Sequence, residues 1–103
     1  MSYIIYKIKQ KDNEQMFYIG STVNFSRRKS HHKKNVTNKC GKLYWSRLYK
    51  HIRENGKWDN FEMTIIEHVD ITTGIGLKQR EQQIIDELKP PLNTGTAYKN
   101  KPI

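Results

Sequence analysis

The sequence predicts an α/β (α+β) fold: a small, mainly antiparallel three-stranded sheet flanked by helices, in the order ββααβα. Three observations carry this expectation. Two short alternating segments near the N-terminus are separated by a polar turn; an amphipathic stripe follows mid-chain; a third alternating segment then precedes a helical stripe that stops at Pro90-Pro91. At 103 residues the chain suits one compact domain with a modest core. Residues 1–94 are expected to form that domain and 95–103 a C-terminal tail.

Residues 3–8 set Ile4, Tyr6 and Ile8 against Tyr3, Ile5 and Lys7, and residues 16–20 set Met16 and Tyr18 against Phe17 and Ile19. A period of two is the mark of a strand. The polar connector Lys11-Asp12-Asn13-Glu14 makes an antiparallel hairpin the economical link, which brings Tyr6 and Tyr18 near each other. Gly20-Ser21-Thr22 breaks the strand, and Asn24 caps a helix running to about residue 34. That helix is polar nearly all round, so its Arg and His side chains are expected to face a ligand or solvent. Tyr44, Trp45, Leu48, Tyr49 and Ile52 fall on one face of a second helix, stopped by Asn55-Gly56. Residues 61–69 read as the third strand and 75–88 as the third helix, with Leu77, Ile84, Ile85 and Leu88 as its apolar face.

The formal charge of +9 is unevenly placed. Residues 27–57 hold eleven Lys or Arg against the single acid Glu54, whereas residues 59–87 carry seven acids against Lys78 and Arg80. A basic stretch this dense suits a polyanion, so nucleic acid is the leading partner; the plain alternative is a solvated basic face. Cys40 stands alone, which excludes an internal disulfide and a thiolate metal cluster. Mean hydropathy is −0.89, no run approaches a membrane span, and no signal-peptide core is present, so a soluble intracellular protein without a membrane partner is expected. The sequence sets no oligomeric state, leaving a dimer or a partner protein open.

Glu81 is the residue hardest to explain by packing. At 100° per residue it lies within the apolar stripe of the third helix, where a carboxylate needs an ion pair, a strong hydrogen-bond network or a metal. An ion pair to a neighbouring Lys or Arg is the structural alternative.

Tyr18-Ile19-Gly20 is followed by Arg28 eight residues after that glycine, His32 one helical turn further, Glu81 in the later helix, and Asn93 in Leu92-Asn93-Thr94. On these residues, with Tyr6 in the first strand, the chain resembles the GIY-YIG nuclease superfamily over roughly its whole length. Ile4 departs from the pattern by standing at the first motif's glycine, which a strand position does not intrinsically require. Arg27 and His31 form a second pair about 100° round the helix from Arg28 and His32.

The resemblance implies a metal-dependent DNA endonuclease leaving 5′-phosphate and 3′-hydroxyl ends, with Tyr6, Tyr18, Arg28, His32, Glu81 and Asn93 as its catalytic set. In that set Glu81 would hold one Mg²⁺, with Mn²⁺ as a substitute, because a lone carboxylate suits a single-ion site. Arg28 would fork onto the phosphate. Tyr6 or Tyr18 would help deprotonate water if nearby cations lower the phenol pKa, His32 would accept the proton, and Asn93 would orient the site. Arg27, Lys29, His31, Lys33, Lys34, Lys42, Arg47 and Lys50 form the expected nucleic-acid-contacting surface. The alternative reading is a non-catalytic DNA- or RNA-binding module that keeps the fold.

Overall fold

The structure, a computed structural model, describes residues 3–70 and 74–93; the expected tail at 95–103 lies outside the described residues. Its elements follow the predicted order: β1 (Tyr3–Gln10), β2 (Asn13–Thr22), α1 (Phe25–Thr37), α2 (Arg47–Glu54), a short 3₁₀ turn (Trp58–Asn60), β3 (Phe61–Val69) and α3 (Gly74–Leu88). The three strands form one antiparallel sheet in the order β2-β1-β3. Among the described residues no helix is long and apolar enough to cross a membrane.

The period-two pattern of β1 feeds two cores, one on each face of the sheet. Tyr6 and Ile8 pack with Val36 of α1 and with Leu48, Tyr49 and Ile52 of α2, joined by Ile4 and Tyr18 at the margin. On the opposite face Ile5 and Ile19 pack against Leu77 and Ile84 of α3. A central strand covered on both faces explains why β1 reads as nearly continuous hydrophobic sequence. Ile4 contributes to the first core, which accounts for an isoleucine at the position where the motif has glycine.

Three element boundaries differ from the sequence reading, and the break expected at Gly20-Ser21-Thr22 does not occur, because these residues pair with Tyr6, Ile5 and Ile4 and carry β2 to Thr22. The hairpin is tighter than expected, with Lys11-Asp12 as the turn and Asn13 already in β2, because the Asp12 carboxylate accepts from Gln10 at 2.7 Å and from Asn60 at 3.0 Å. Helix α1 extends past residue 34 to Thr37, which lets Val36 reach the core. Its N-cap is Asn24 as expected, accepting from the Arg27 amide.

The third difference is larger. Tyr44 and Trp45 lie outside α2, because Ser46 caps that helix by accepting from the Tyr49 amide. Trp45 is 75% exposed rather than part of the core face, and Leu88 of α3 is likewise exposed. The stop at Asn55-Gly56 holds, with Gly56 at φ 98°.

Gly20 ties the fold to the site. It pairs with Tyr6 across the hairpin, and a Cβ there would run into the Tyr6 ring and hydroxyl and crowd Tyr18 at 3.0 Å. Gly20→Ala is therefore expected to destabilise the domain by about 1–3 kcal/mol in urea unfolding, the usual cost of overpacking; unchanged stability would mean that Tyr6 is free to move.

Candidate active site

The strand register places Tyr6 opposite Gly20 and Tyr18 opposite Ile8, so the two tyrosines are diagonal neighbours on one face. Their ring centroids lie 6.3 Å apart. Helix α1 crosses this face and brings His32 between them, 5.6 Å from the Tyr6 ring and 6.0 Å from that of Tyr18. The Tyr6 hydroxyl hydrogen-bonds His32 Nε2 at 2.7 Å, and His32 Nδ1 hydrogen-bonds the Tyr49 hydroxyl at 2.8 Å. Both ring nitrogens are thus satisfied inside the core, which is what permits a histidine that is only 4% exposed.

The expectation that the α1 histidine faces a ligand or solvent is corrected for His32. Its neighbour Arg28 is exposed, as are Arg27 and His31 of the alternative pair. Arg28 lines a cleft of about 260 Å³ with Thr22, Asn24, Arg27 and His31 at the start of α1. A second cleft, of about 170 Å³, opens onto Tyr18, His32, Arg47 and Tyr49. Tyr18 is half-buried, whereas Tyr6 is only 2% exposed, so Tyr18 is the tyrosine that meets the cleft and Tyr6 stands behind it.

Electrostatics revise the expected roles. Burial pushes the Tyr18 hydroxyl up to about 12, reinforced by the charge of Glu81 and opposed by Arg28 and the Tyr6 hydroxyl. Burial drives Tyr6 far above the ordinary phenol value, and the pull of Arg28 does not reverse it. The idea that neighbouring cations lower these pKa values is therefore corrected: desolvation wins over the guanidinium. His32 moves the other way, down to about 4, through burial first and then the positive charges of Arg28 and His31. It is neutral at physiological pH and has no proton to spare for a charged resting state.

Glu81 lies in the buried stripe of α3, 5% exposed, as its spacing implies. Lys78 one turn earlier forms an ion pair at 3.5 Å, yet the buried Glu81 Oε1 accepts no hydrogen bond among the described residues. Lys78 also reaches Ser21 at 3.4 Å at the end of β2, and a two-pronged Arg80–Glu67 pair at 2.7 Å clamps α3 to β3. The structure thus realises the ion-pair alternative for Glu81, and leaves its Oε1 without a hydrogen bond among the described residues.

Asn93 is accounted for without touching a ligand. Its side-chain amide accepts from the Ile19 amide at 2.9 Å and donates to the Ile19 carbonyl at 2.9 Å, while the Leu92 amide donates to Phe17. The segment after Pro90-Pro91 so completes the outer edge of β2 beside Tyr18. Arg47 joins it, donating to the carbonyls of Pro91 and Asn93 at 3.4 Å. Lys29, Lys33, Lys34, Lys42 and Lys50 are all exposed, as a phosphate-contacting surface requires. Tyr49 is the site residue missed by sequence reasoning, since its position on the apolar face of α2 marked it as core; only the fold sets its hydroxyl against His32.

A basic α+β domain with this buried Tyr-His-Tyr chain, an exposed arginine and a buried carboxylate held only by a long ion pair has the kinds of group that phosphodiester cleavage uses. Comparison supports that class directly. The sequence matches the GIY-YIG catalytic domain over residues 2–94, and the structure is similar to the catalytic domain of homing endonuclease I-TevI, with TM-score 0.69 and 26% identity over 88% of this chain and 92% of that one. Comparison with curated proteins gives no match. The chain belongs to the GIY-YIG family, and it is an endonuclease of the GIY-YIG type.

The His32 environment sets a measurable pH behaviour. A folded-state pKa below the unfolded value of about 6.5 leaves stability untouched above that pH and removes it as pH falls from 6.5 towards 4, by about 3 kcal/mol in total. NMR titration is expected to show His32 neutral at pH 5.5 with its midpoint near 4; a midpoint near 6.5 would show that the ring is solvated.

Proposed function

We propose that this protein is a metal-dependent DNA endonuclease that hydrolyses phosphodiester bonds and leaves 5′-phosphate and 3′-hydroxyl ends. The observation that supports the reading is the buried Glu81 Oε1, which accepts no hydrogen bond among the described residues and is met only by a 3.5 Å ion pair to the half-exposed Lys78, a thin compensation for a buried charge. A hard cation there would take the place of the Lys78 ammonium on this oxygen. Among the described residues no group of three His, Cys, Asp or Glu side chains converges, and Mg²⁺ is commonly held by one or two carboxylates with water and substrate phosphate completing its shell. Glu81 would hold Mg²⁺, or Mn²⁺ in its place; when bound the ion supplies Lewis-acid stabilisation of the phosphate.

The chain's own residues divide the remaining work. Arg28, exposed beside its cleft, offers planar N–H donors to the phosphate as negative charge grows in the transition state. Tyr18 meets the attacking water at the cleft but, with a pKa near 12, does not hold a standing negative charge. A relay answers this: the water proton passes to the Tyr18 hydroxyl as Tyr18 gives its own to the Tyr6 hydroxyl and Tyr6 gives its own to Nε2 of neutral His32, 2.7 Å away. Tyr49 steadies the other ring nitrogen. Asn93 acts as a positioning residue by fixing the β2 edge next to Tyr18. Exposed Arg27, Lys29, His31, Lys33, Lys34, Lys42 and Lys50 carry the DNA backbone, and Arg47 contributes where it leaves its two carbonyl contacts.

The test is nicking of supercoiled plasmid with Mg²⁺ or with EDTA. Glu81→Gln and Arg28→Ala are each expected to slow cleavage by roughly 10²–10³-fold, the usual cost of losing one preorganised charge contact, while Glu81→Gln leaves duplex affinity nearly unchanged. Full cleavage by folded Glu81→Gln would remove the cation site. Tight DNA binding with no cleavage under any divalent metal would turn the reading to a binding module.

A further inference from the structure

Helix α1 has two working flanks. At 100° per residue Arg28 and His31 lie to one side of buried His32, while Ser30, Lys33 and Thr37 lie to the other. On that second flank is a groove of about 690 Å³, separate from the clefts at Arg28 and Tyr18. Lys33, Lys34 and Lys57 put three ammonium groups around it, against Asp59 at one end, and Tyr44 and Trp58 supply aromatic walls. The volume suits a nucleotide-sized group rather than a whole duplex.

The aromatic wall is built to stay in place. Arg53 donates to the carbonyls of Val36 at 2.8 Å and Tyr44 at 2.6 Å, and its guanidinium lies 3.6 Å from the Tyr44 ring centroid. Trp45 stands edge-on to Tyr44 at 4.9 Å, with the same guanidinium 5.7 Å away, yet leaves three quarters of its surface to water. An indole pinned by neighbours and not buried does little for folding. Trp58 stacks over His32 at 6.4 Å and 16°, so the groove backs directly onto the catalytic network. Lys57 sits at φ 66°, ψ −174°, a conformation that L residues other than glycine rarely hold, where glycine would be the unstrained choice.

We propose that this groove binds an unpaired stretch of the DNA substrate, the lysines on its phosphates and the Tyr44 and Trp58 rings against its bases. The inference rests on the nuclease reading and deepens it: one flank of α1 holds the scissile phosphate, and the other takes a strand that has left the duplex. Stacking on fixed aromatics beside a positive track is the recurrent way to hold single strands without reading their sequence.

Of the chain's two tryptophans, Trp58 lines the groove and Trp45 abuts its Tyr44 wall, so intrinsic fluorescence reports on it. The full chain in EDTA is titrated with a short oligothymidine and with a blunt duplex of equal length. Saturable quenching is expected from the single strand and little from the duplex. Lys57→Gly, which relieves its own backbone, is expected to keep or raise the melting temperature while lowering the log–log salt slope of single-strand binding by about 0.7. Tyr44→Ala, in the groove wall, is expected to weaken that binding at least tenfold, whereas Trp45→Ala, outside the lining, changes it little. Equal quenching by the duplex, no quenching, or unchanged binding by both Lys57→Gly and Tyr44→Ala would overturn the proposal. Because binding is read without cleavage, a failed plasmid assay would remove the nuclease reading alone, and intact cleavage with unchanged variant binding would remove the groove alone.

Discussion

The hydrogen bond from the Tyr6 hydroxyl to His32 Nε2 spans the interface between the sheet and α1, and the rest of the molecule is arranged around it. Gly20 leaves the space that the Tyr6 ring and hydroxyl occupy, as the crowding of any Cβ at that position shows. Asn24 starts α1 at the point that carries His32 over the strand pair about two turns later. Tyr49 of α2 closes the far side of the imidazole, so two helices and the central strand meet on one polar chain within an apolar core. Such a chain is costly if half-made and specifying if complete, since each unmatched polar atom would lose its water for nothing.

Completeness also explains where charge is allowed. The buried hydroxyls and imidazole are held neutral by desolvation, with the tyrosines pushed up and His32 pushed down. Permanent charges stand around them: Arg28 exposed on one side, and Glu81 on α3 beyond the other face of the sheet, close enough to raise both tyrosines. Neutral donors and acceptors in the core, with a guanidinium at the surface and a buried carboxylate on α3, are the arrangement that the proposed cleavage reaction draws on. Asn93 contributes by holding the β2 edge shut at Ile19, so Tyr18 keeps its place at the cleft.

Much of this was legible in the chain because it rests on periodicity. The alternation of residues 3–8 and 16–20 gave the hairpin, the third strand agreed in both bounds, and the helical spacing of Leu77, Glu81 and Ile84 put a carboxylate in a buried stripe. What escaped depends on contacts between distant segments. His32 was expected at the surface because its helix is polar, but the two hydroxyls that admit it to the core lie 26 and 17 residues away. Tyr49 reads as a core aromatic, and no local pattern distinguishes a hydroxyl with a partner from one without. Trp45 was misplaced because the Ser46 cap competes with an apolar stripe that continues through Tyr44 and Trp45. The tyrosine pKa directions were missed for a related reason: the sequence shows the nearby arginine, and only the fold shows the depth of burial.

The central claim is that Tyr6 and His32 work as one proton-handling unit, and a double-mutant cycle on the cleavage rate tests it most directly. Single-turnover cleavage would be compared for the unaltered protein, Tyr6→Phe, His32→Gln and the double variant, each checked for folding. Members of one unit lose their function together, so the double variant is expected to cut about as slowly as either single one. Losses that multiply would show two independent contributions and contradict the relay.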